Sequence, residues 1–516
     1  MKKALSLVLI VLMVMSLVLT GCSKQPSGKS GASAEPNAKD SVIIATSAEP
    51  VRFFSCGPEA SNSSDYIVLY NIYDTLVEMS AKGEILPALA KEWTVSEDGL
   101  SYTFKLRDDV YFHNGDKMTA EDVAFTMEYN AQTAIGKALL INYSNSEVVD
   151  DNTIIINLSK PFAPFINGMT SRAAQIINKA YMEEKGVETY LEAPIGTGPY
   201  KFVSRASGDT VTLEAFDKYW GDDPSIKNVY IKTMSDPTTQ IVALQAGDVD
   251  VILSPAVSNM VKMDSSTGAT WANCSSAARV TMTFNCNEGR VASDLNFRKA
   301  IQAATNKEDI VLGVMESYGE LADIDMVTGY TGRPDKYKTV AYDVEAAKAY
   351  LKDSKYNGQE FLLLVQSGTK NEAVAQILQA QLMDIGINCK INATDTATFN
   401  SVWYSGTGYD AIIRTSDSSL MDADCLVAYF ATSSAAAEKN KFEKLDELNE
   451  LLMKGRVTQG TEERKAVYGE ICDIITDEAY QVPFFYDVSA LAFNEKLTGV
   501  VPHPLFTDRV RNWSWE

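Results

Sequence analysis

Short apolar runs alternate with helix-period patterns along the second half of the chain. Phe361 to Val365 is a run typical of a buried strand, and apolar residues between Val374 and Ile385 recur at helical spacing before Gly386. Ile387 to Ile391 supplies the next strand. This order predicts a βαβ unit with a right-handed crossover and a parallel sheet. The fold class is therefore expected to be α/β.

Similar patterns continue in the first half. Ser41 to Thr46 is a β-branched run that predicts the first strand of the folded part, and residues 102–106 alternate apolar with polar positions. Thr119 opens a helical stretch with Asp122 as its capping-box partner. Two apolar runs flank Asp150-Asp151-Asn152, which predicts a hairpin turn.

One more helix and strand are predicted near the middle of the chain. Asp236-Pro237 begins a capped helix that ends at Gly247, and residues 248–253 return as a strand.

The first 22 residues have the pattern of a secretory signal. Lys2 and Lys3 precede an apolar stretch from Ala4 to Leu19, and Leu19-Thr20-Gly21-Cys22 closes it. A cysteine at this junction is typical of a bacterial lipoprotein signal peptide, in which Cys22 carries a diacylglycerol after residues 1–21 are removed. Two acyl chains are enough for stable anchoring. We expect residues 22–40 to be a flexible linker to the extracytoplasmic face of the cell membrane.

Composition narrows the possible partners. The 516 residues carry a net charge of −22, which disfavours nucleic acid and anionic lipid surfaces. Six cysteines besides Cys22 permit disulfides, but no CxxC pair supports a zinc or redox site. No metal site or cofactor is expected, and the protein is expected to be a monomer.

The residues needed for most kinds of catalysis are missing. The two histidines, His113 and His503, lie outside any nucleophile motif and are interpreted as structural. Residues 196–201 lack the spacing of a phosphate loop, and Pro199 removes a backbone donor. An enzyme is therefore not expected, although a surface glycan-degrading enzyme stays open because paired carboxylates leave no short signature.

A series of motifs resembles the family 5 extracellular solute-binding proteins, the peptide- and nickel-binding components of ABC importers. The first group of motifs is Tyr70 to Asp74, Pro87 to Ala90, Trp93, Tyr102 to Arg107, Val110, Phe112 to Gly115 and Thr119 to Val123. The second group is Gly196 to Tyr200, Ala243 to Asp250, Phe284-Asn285, Phe297 to Ile301, Tyr342-Asp343 with Ala346-Ala347, and Leu382 to Ile387.

The resemblance implies a periplasmic-binding-protein-like type II fold, with two lobes, a hinge and an inserted extra domain. By analogy, lobe I comprises residues 41–62, 187–280 and 486–516, the inserted domain 63–186, and lobe II 281–485. Ligand binds between the lobes and closure buries it, after which permease subunits of an ABC transporter receive it.

The resemblance also suggests ligand-binding residues. Peptide binders of the family place an aspartate where Asp417 stands, to pair with the peptide α-ammonium, while Arg414 replaces a tryptophan of that motif. Arg414 either donates to a ligand carboxylate or pairs with Asp417. An arginine that dipeptide binders use near residues 366–370 is absent, with Lys370 a weak substitute. The full set of candidate residues is Asp417, Arg414, Thr415, Ser416, Leu253, Ser254, Pro255, Ser55, Cys56 and Gly57.

These features predict a lipid-anchored binding protein that captures a small solute, expected to be an oligopeptide, for an ABC importer. A nickel-chelate or haem complex is an alternative ligand. Oligosaccharide uptake is another, since several aromatic residues could line the cleft: Phe53, Phe54, Trp271, Trp403 and Tyr404.

Overall fold

The computed structural model describes residues 39–54, 63–260, 263 and 267–516. The predicted signal peptide, Cys22 and nearly all of the linker lie outside the described residues, as do Ser55, Cys56 and Gly57. Within the described ranges, no helix has both the length and the apolar character needed to cross a membrane.

The described strands are β1 Ser41–Thr46, β2 Val77–Met79, β3 Ile85–Pro87, β4 Ala90–Val95, β5 Ser101–Leu106, β6 Tyr143–Asp150, β7 Thr153–Leu158, β8 Tyr200–Ala206, β9 Thr210–Ala215, β10 Asn228–Thr233, β11 Val251–Leu253, β12 Ala269–Phe284, β13 Glu320–Leu321, β14 Phe361–Gln366, β15 Cys389–Thr394, β16 Ala411–Ser416, β17 Gln481–Asn494, β18 Leu497–Thr498 and β19 Ser514–Trp515.

The described α-helices are α1 Ser63–Ile72, α2 Ala120–Ala131, α3 Ala134–Leu139, α4 Phe165–Gly168, α5 Lys179–Glu192, α6 Pro237–Ala246, α7 Val257–Met260, α8 Leu295–Ala304, α9 Lys307–Met315, α10 Val344–Asp353, α11 Lys370–Asp384, α12 Thr396–Ser405, α13 Val427–Phe430, α14 Ala435–Asn440, α15 Leu445–Val457 and α16 Thr461–Asp477.

One large sheet runs through both lobes, in the order β15-β14-β16-β12-β17-β11-β1-β10-β9-β8 with β13 added to β17. Strands β14, β15 and β16 are parallel at one end, and β1 is parallel to β10 and β11 at the other. The long antiparallel pair β12 and β17 joins the two ends. Its register breaks between Ser275 and Arg279 and again between Val280 and Thr281.

Each part of the molecule buries its own apolar core. The lobe I core contains Val42, Ile231 and Val251, and the lobe II core contains Phe284, Leu363 and Leu378. A separate four-stranded sheet, ordered β4-β5-β7-β6, covers a third core. The third core extends from Leu76 to Ile176, whereas residues of α1 and α5 pack in the lobe I core. The domain boundaries at 63 and 186 stay predictions.

The local predictions agree closely with these elements. The β14–α11–β15 unit is parallel, as expected, and Gly386 has a positive φ of 89° just after α11. Thr119 and Asp122 form the predicted capping box. Strand β11 begins at Val251 and is shorter than the predicted 248–253, because Gly247 ends α6 with φ 79° and the Asp248 amide donates back to Ala243.

Two sequence motifs that lie far apart in the chain bind each other. The His113 amide donates to the Gly196 carbonyl at 3.0 Å, and His113 Nε2 lies 3.0 Å from the Gly198 carbonyl oxygen. The Gly198 amide donates to the Ile72 carbonyl at 2.8 Å. Burial lowers the pKa of His113 to about 4, so the ring is neutral at physiological pH. His113 is therefore structural, as expected, and joins the inserted domain to lobe I.

Candidate functional site

A cavity lies between α1, the middle of β12, the loop after β16 and the C-terminal loop. We call it the central cavity, and its volume is about 80 Å³. Its walls come from α1, the start of the 172–174 turn, the irregular part of β12, the loop after β16 and the C-terminal loop. Residues that define it are Tyr66, Tyr70, Arg172, Ala277, Asp417 and Phe506.

Asp417 lies in this cavity, one residue beyond the end of β16. Its side chain is exposed and close enough to Tyr66 and Tyr330 to influence the pKa of both hydroxyls. The Arg172 guanidinium lies 6.0 Å from the Tyr66 ring centroid. Among the described residues no ion pair engages Asp417. The carboxylate is thus available to a ligand.

A buried ion pair supports the end of β16. Arg279 and Asp325 are nearly inaccessible, with Arg279 Nε 3.1 Å from Asp325 Oδ1. Arg279 Nη1 also reaches the Ser416 carbonyl at 3.5 Å, and Thr281 donates to Asp325 at 2.6 Å. The sequence did not predict this ion pair, because Arg279 and Asp325 come from separate segments that share no motif.

Arg414 and Asp417 face different spaces. The Arg414 guanidinium lies 4.2 Å from the Trp403 ring centroid and 4.9 Å from that of Tyr429. No ion pair between Arg414 and Asp417 is present in the described ranges, so one of the two predicted roles of Arg414 has no support here. Stacking on two rings leaves the in-plane N–H groups available to an acceptor.

Arg414 and Thr415 line a second space, which we call the lobe II pocket. Its volume is about 390 Å³, and Gln366, Lys370 and Trp403 also line it. Lys370 forms an ion pair with Asp487 of β17, so its charge is already engaged. The Thr415 hydroxyl donates to Asn371 at 3.1 Å. Ser416 is half-buried at the end of β16, beside Arg279.

The other predicted stretch of binding residues lies at the end of β11, where Leu253 is the last strand residue and Ser254 and Pro255 follow it. Leu253 and Ser254 border a small space of about 10 Å³, the lobe I pocket, together with Ser47, Ser64, Phe506 and Asp508. This is room for about one water-sized group. The Ser254 amide donates to the Ala490 carbonyl at 3.0 Å, and Pro255 has no amide hydrogen. This stretch therefore offers a ligand the Ser254 hydroxyl and main-chain carbonyls, and not the amide donors of Ser254 and Pro255.

Backbone conformation also distinguishes the lobe I pocket. Ser254 has φ 51° and Phe506 has φ 58°, both in the left-handed region. Such conformations cost of order 1–3 kcal/mol in residues other than glycine and cluster at ligand sites. Phe506 lines both the lobe I pocket and the central cavity, so the two spaces adjoin at its side chain.

The environments of the described cysteines and of His503 indicate structural roles. Cys274, Cys286, Cys389, Cys425 and Cys472 are free thiols, half-buried or buried, and Cys56 lies outside the described residues. Burial lowers the pKa of His503 to about 4, and its Nε2 lies 3.1 Å from the Met79 carbonyl oxygen.

Comparison with known proteins identifies the family. The family model described as bacterial extracellular solute-binding proteins, family 5 Middle, matches residues 84–438. The chain belongs to this family. Its fold is the type II periplasmic-binding-protein fold, and it is a substrate-binding protein of the ABC-transporter class and not an enzyme.

Relatives of this family 5 protein have different ligands in their names. The nickel-binding periplasmic protein of Escherichia coli is 25% identical over 500 residues, which cover 90% of this chain and 93% of the relative. The dipeptide-binding protein of the same organism is 25% identical over 479 residues, 86% of this chain and 89% of the relative. The solved structure of HbpA2 from Haemophilus parasuis has a TM-score of 0.84 at 24% identity, covering 92% of this chain and all of that one.

Proposed function

We propose that this family 5 protein captures an oligopeptide between its lobes, with Asp417 accepting the peptide α-ammonium. The observation that carries the proposal is a carboxylate in the central cavity that has no ion-pair partner among the described residues. An ammonium ligand supplies the positive charge that such a carboxylate needs once closure removes water. The dipeptide-binding relative supports a peptide ligand.

Arg414 is proposed to bind an acidic group in the lobe II pocket, separately from the ammonium that Asp417 accepts, because the two side chains face different spaces. The missing arginine near residues 366–370 favours an oligopeptide over a dipeptide.

Titration calorimetry with alanine peptides of two to six residues tests the peptide proposal. We expect binding at three residues or more, and a loss of about 30- to 100-fold in Asp417→Asn, about 2–3 kcal/mol, because one partner of a desolvated charge pair is removed. N-acetylation of the peptide should weaken wild-type binding equally and add little to the variant.

The surface variant Asp335→Asn is a suitable control, because Asp335 is exposed and pairs only with Lys465 among the described residues. Equal binding of free and N-acetylated peptides would contradict the role of Asp417. No binding of any peptide length would overturn the proposed ligand class, and a co-purified nickel chelate would replace it with the nickel alternative.

The proposal includes delivery to an ABC importer from a lipid anchor at Cys22. The lipoprotein-type junction at residues 19–22 supports it. In cells given an alkyne-labelled palmitate, we expect label on the wild-type protein and none on Cys22→Ser, with the variant released into the medium or periplasm. Labelling of both proteins would contradict lipidation at Cys22, and Cys274→Ser is the control for loss of an unrelated thiol.

A further inference from the structure

Asp508 is a buried carboxylate on the lobe I side of the ligand cleft. Its side chain is 4% exposed and borders the lobe I pocket with three hydroxyl-bearing residues, Ser47, Ser64 and Ser254. The pocket adjoins the central cavity at Phe506. Asp508 is therefore within reach of a ligand that enters from the cavity containing Asp417.

The main chain around Asp508 is firmly held. Asn71 Nδ2 donates to the Asp508 carbonyl at 3.0 Å, and the Val510 amide donates to Asn71 Oδ1 at 3.0 Å. On the carboxylate itself, Oδ1 accepts the His503 amide at 3.0 Å. These bonds fix the side chain at the pocket wall without bringing a cation to it.

Among the described residues Asp508 lacks the counter-ion that most other buried aspartates have, and Asp122 shares this property. Asp422 pairs with Arg464, Asp325 with Arg279 and Asp250 with Lys39. Over the described part of the chain Asp508 has no ion pair, and the neighbouring Arg509 instead donates to the Tyr70 carbonyl. A buried carboxylate without a cation is costly unless it is protonated or a ligand supplies the charge.

We propose that Asp508 binds the ammonium group of a basic side chain of the ligand, whose tip passes Phe506 into the lobe I pocket. The inference rests on the proposed function and adds to it a preference for basic peptides. The three serines can accept the remaining N–H groups of the cation, and the Phe506 ring can pack on its alkyl part. The net charge of −22 favours approach of a cationic ligand.

This role makes capture of basic ligands dependent on pH. Burial raises the pKa of Asp508 to about 7. At pH 6 roughly one molecule in ten has an ionised Asp508, so affinity for a cation falls about tenfold relative to pH 8. Ligand-free protein has the opposite dependence: because the folded-state pKa is raised, protonation stabilises it at low pH and this stabilisation is lost as pH rises through 7.

Neighbouring groups do not account for a transition near pH 7. His503 is on the same loop with its pKa lowered to about 4 by burial, and Cys274 of β12 has its pKa raised to about 12 by burial. Asp65 of α1 lies next to Ser64 and pairs with Arg52, and the neighbouring Arg509 pairs with Glu78.

Titration calorimetry on the full soluble chain tests the proposal. The ligands are tripeptides of one lysine and two alanines, with the lysine at each of the three positions in turn. Matched probes carry Nε-acetyl-lysine at the same position. At pH 8 we expect Asp508→Asn to weaken the best lysine peptide at least tenfold and to leave its acetylated counterpart unchanged. The pH dependence between 6 and 8 should disappear in the variant, and Asp335→Asn should retain it.

A thermal scan of ligand-free protein separates a binding role from a structural one. Asp508→Asn keeps the Oδ1 acceptor for His503, so we expect its Tm to exceed that of wild type by more at pH 8 than at pH 5. A lower Tm at both pH values, or equal weakening of lysine and acetyl-lysine peptides, would overturn the proposal.

Failure of the peptide function is distinguishable from failure of this inference. If no peptide binds, 1,5-diaminopentane serves as the probe, and binding that is lost in Asp508→Asn would retain the cation site without the peptide. If alanine peptides bind but lysine has no advantage and Asp508→Asn changes nothing, the cation site is wrong and the peptide function stands.

Discussion

Arg464→Ala is expected to lower the free energy of unfolding by about 3–5 kcal/mol, because it leaves a buried carboxylate without its cation. Arg464 and Asp422 are 3% and 0% exposed, and two N–H groups of the guanidinium bind the two carboxylate oxygens at 2.9 and 2.8 Å. Arg464 Nε also donates to the Gly455 carbonyl at 3.0 Å. Urea unfolding followed by circular dichroism measures the change.

Lys465→Ala is the matched control on the same helix. Lys465 pairs with Asp335 and Glu462 at the surface, and exposed pairs contribute only about 0–1 kcal/mol. We also expect the double variant Asp422→Asn, Arg464→Met to recover part of the loss, since no buried charge then stays unpaired. Equal losses in Arg464→Ala and Lys465→Ala would contradict this account.

Arg464 matters for the site as well as for stability. Asp422 lies five residues after Asp417 in the same loop, and its Oδ1 accepts the Asp424 amide at 2.8 Å. The buried pair therefore fixes the loop that presents Asp417 to the central cavity. At temperatures where Arg464→Ala is still folded, we expect its peptide affinity to fall too.

Gly198→Ala is expected to destabilise the protein by about 3 kcal/mol, because an added methyl group has no space. A Cβ on Gly198 would lie 2.6 Å from the Ile72 carbonyl carbon and 2.7 Å from the Asn71 carbonyl oxygen, and both are backbone atoms. Relief requires the end of α1 to separate from the 196–200 turn. Thermal unfolding measures the loss.

Gly313→Ala provides the control for this steric argument. Its Cβ would meet only the end of the Ile377 side chain, at 2.7 Å, and that side chain can rotate. Gly313 is inside α9, where alanine is favoured over glycine by about 1 kcal/mol. We expect Gly313→Ala to be neutral or stabilising, and a loss as large as that of Gly198→Ala would show that the close approach at Gly198 is not the cause.

Local signals predicted most secondary structure. The Thr119 capping box, the turn at residues 150–152 and the β14–α11–β15 unit each depend on residues close in sequence, and each is present. Strand β11 was predicted three residues too long, because periodicity does not show where the chain after Gly247 turns back on α6. Motif order was enough for the family and for the type II fold.

The candidate site was only partly accessible to sequence reasoning. Asp417 was found by its motif and lies in the central cavity, but the separation of Arg414 from Asp417 depends on Trp403 and Tyr429, which come from other helices. Asp508 carries no motif. Its role as a candidate follows from burial, from contact with the lobe I pocket and from the lack of a described ion-pair partner.

The sequence by itself determined the order of the secondary-structure elements and the family, because periodicity, capping and short motifs act over a few residues. Only the tertiary structure decided which charged groups are neutralised and which are available to a ligand. That distinction depends on solvent exclusion and on partners distant in the chain. Asp422 is buried with Arg464 as its counter-ion, whereas Asp508 is buried without a cation among the described residues.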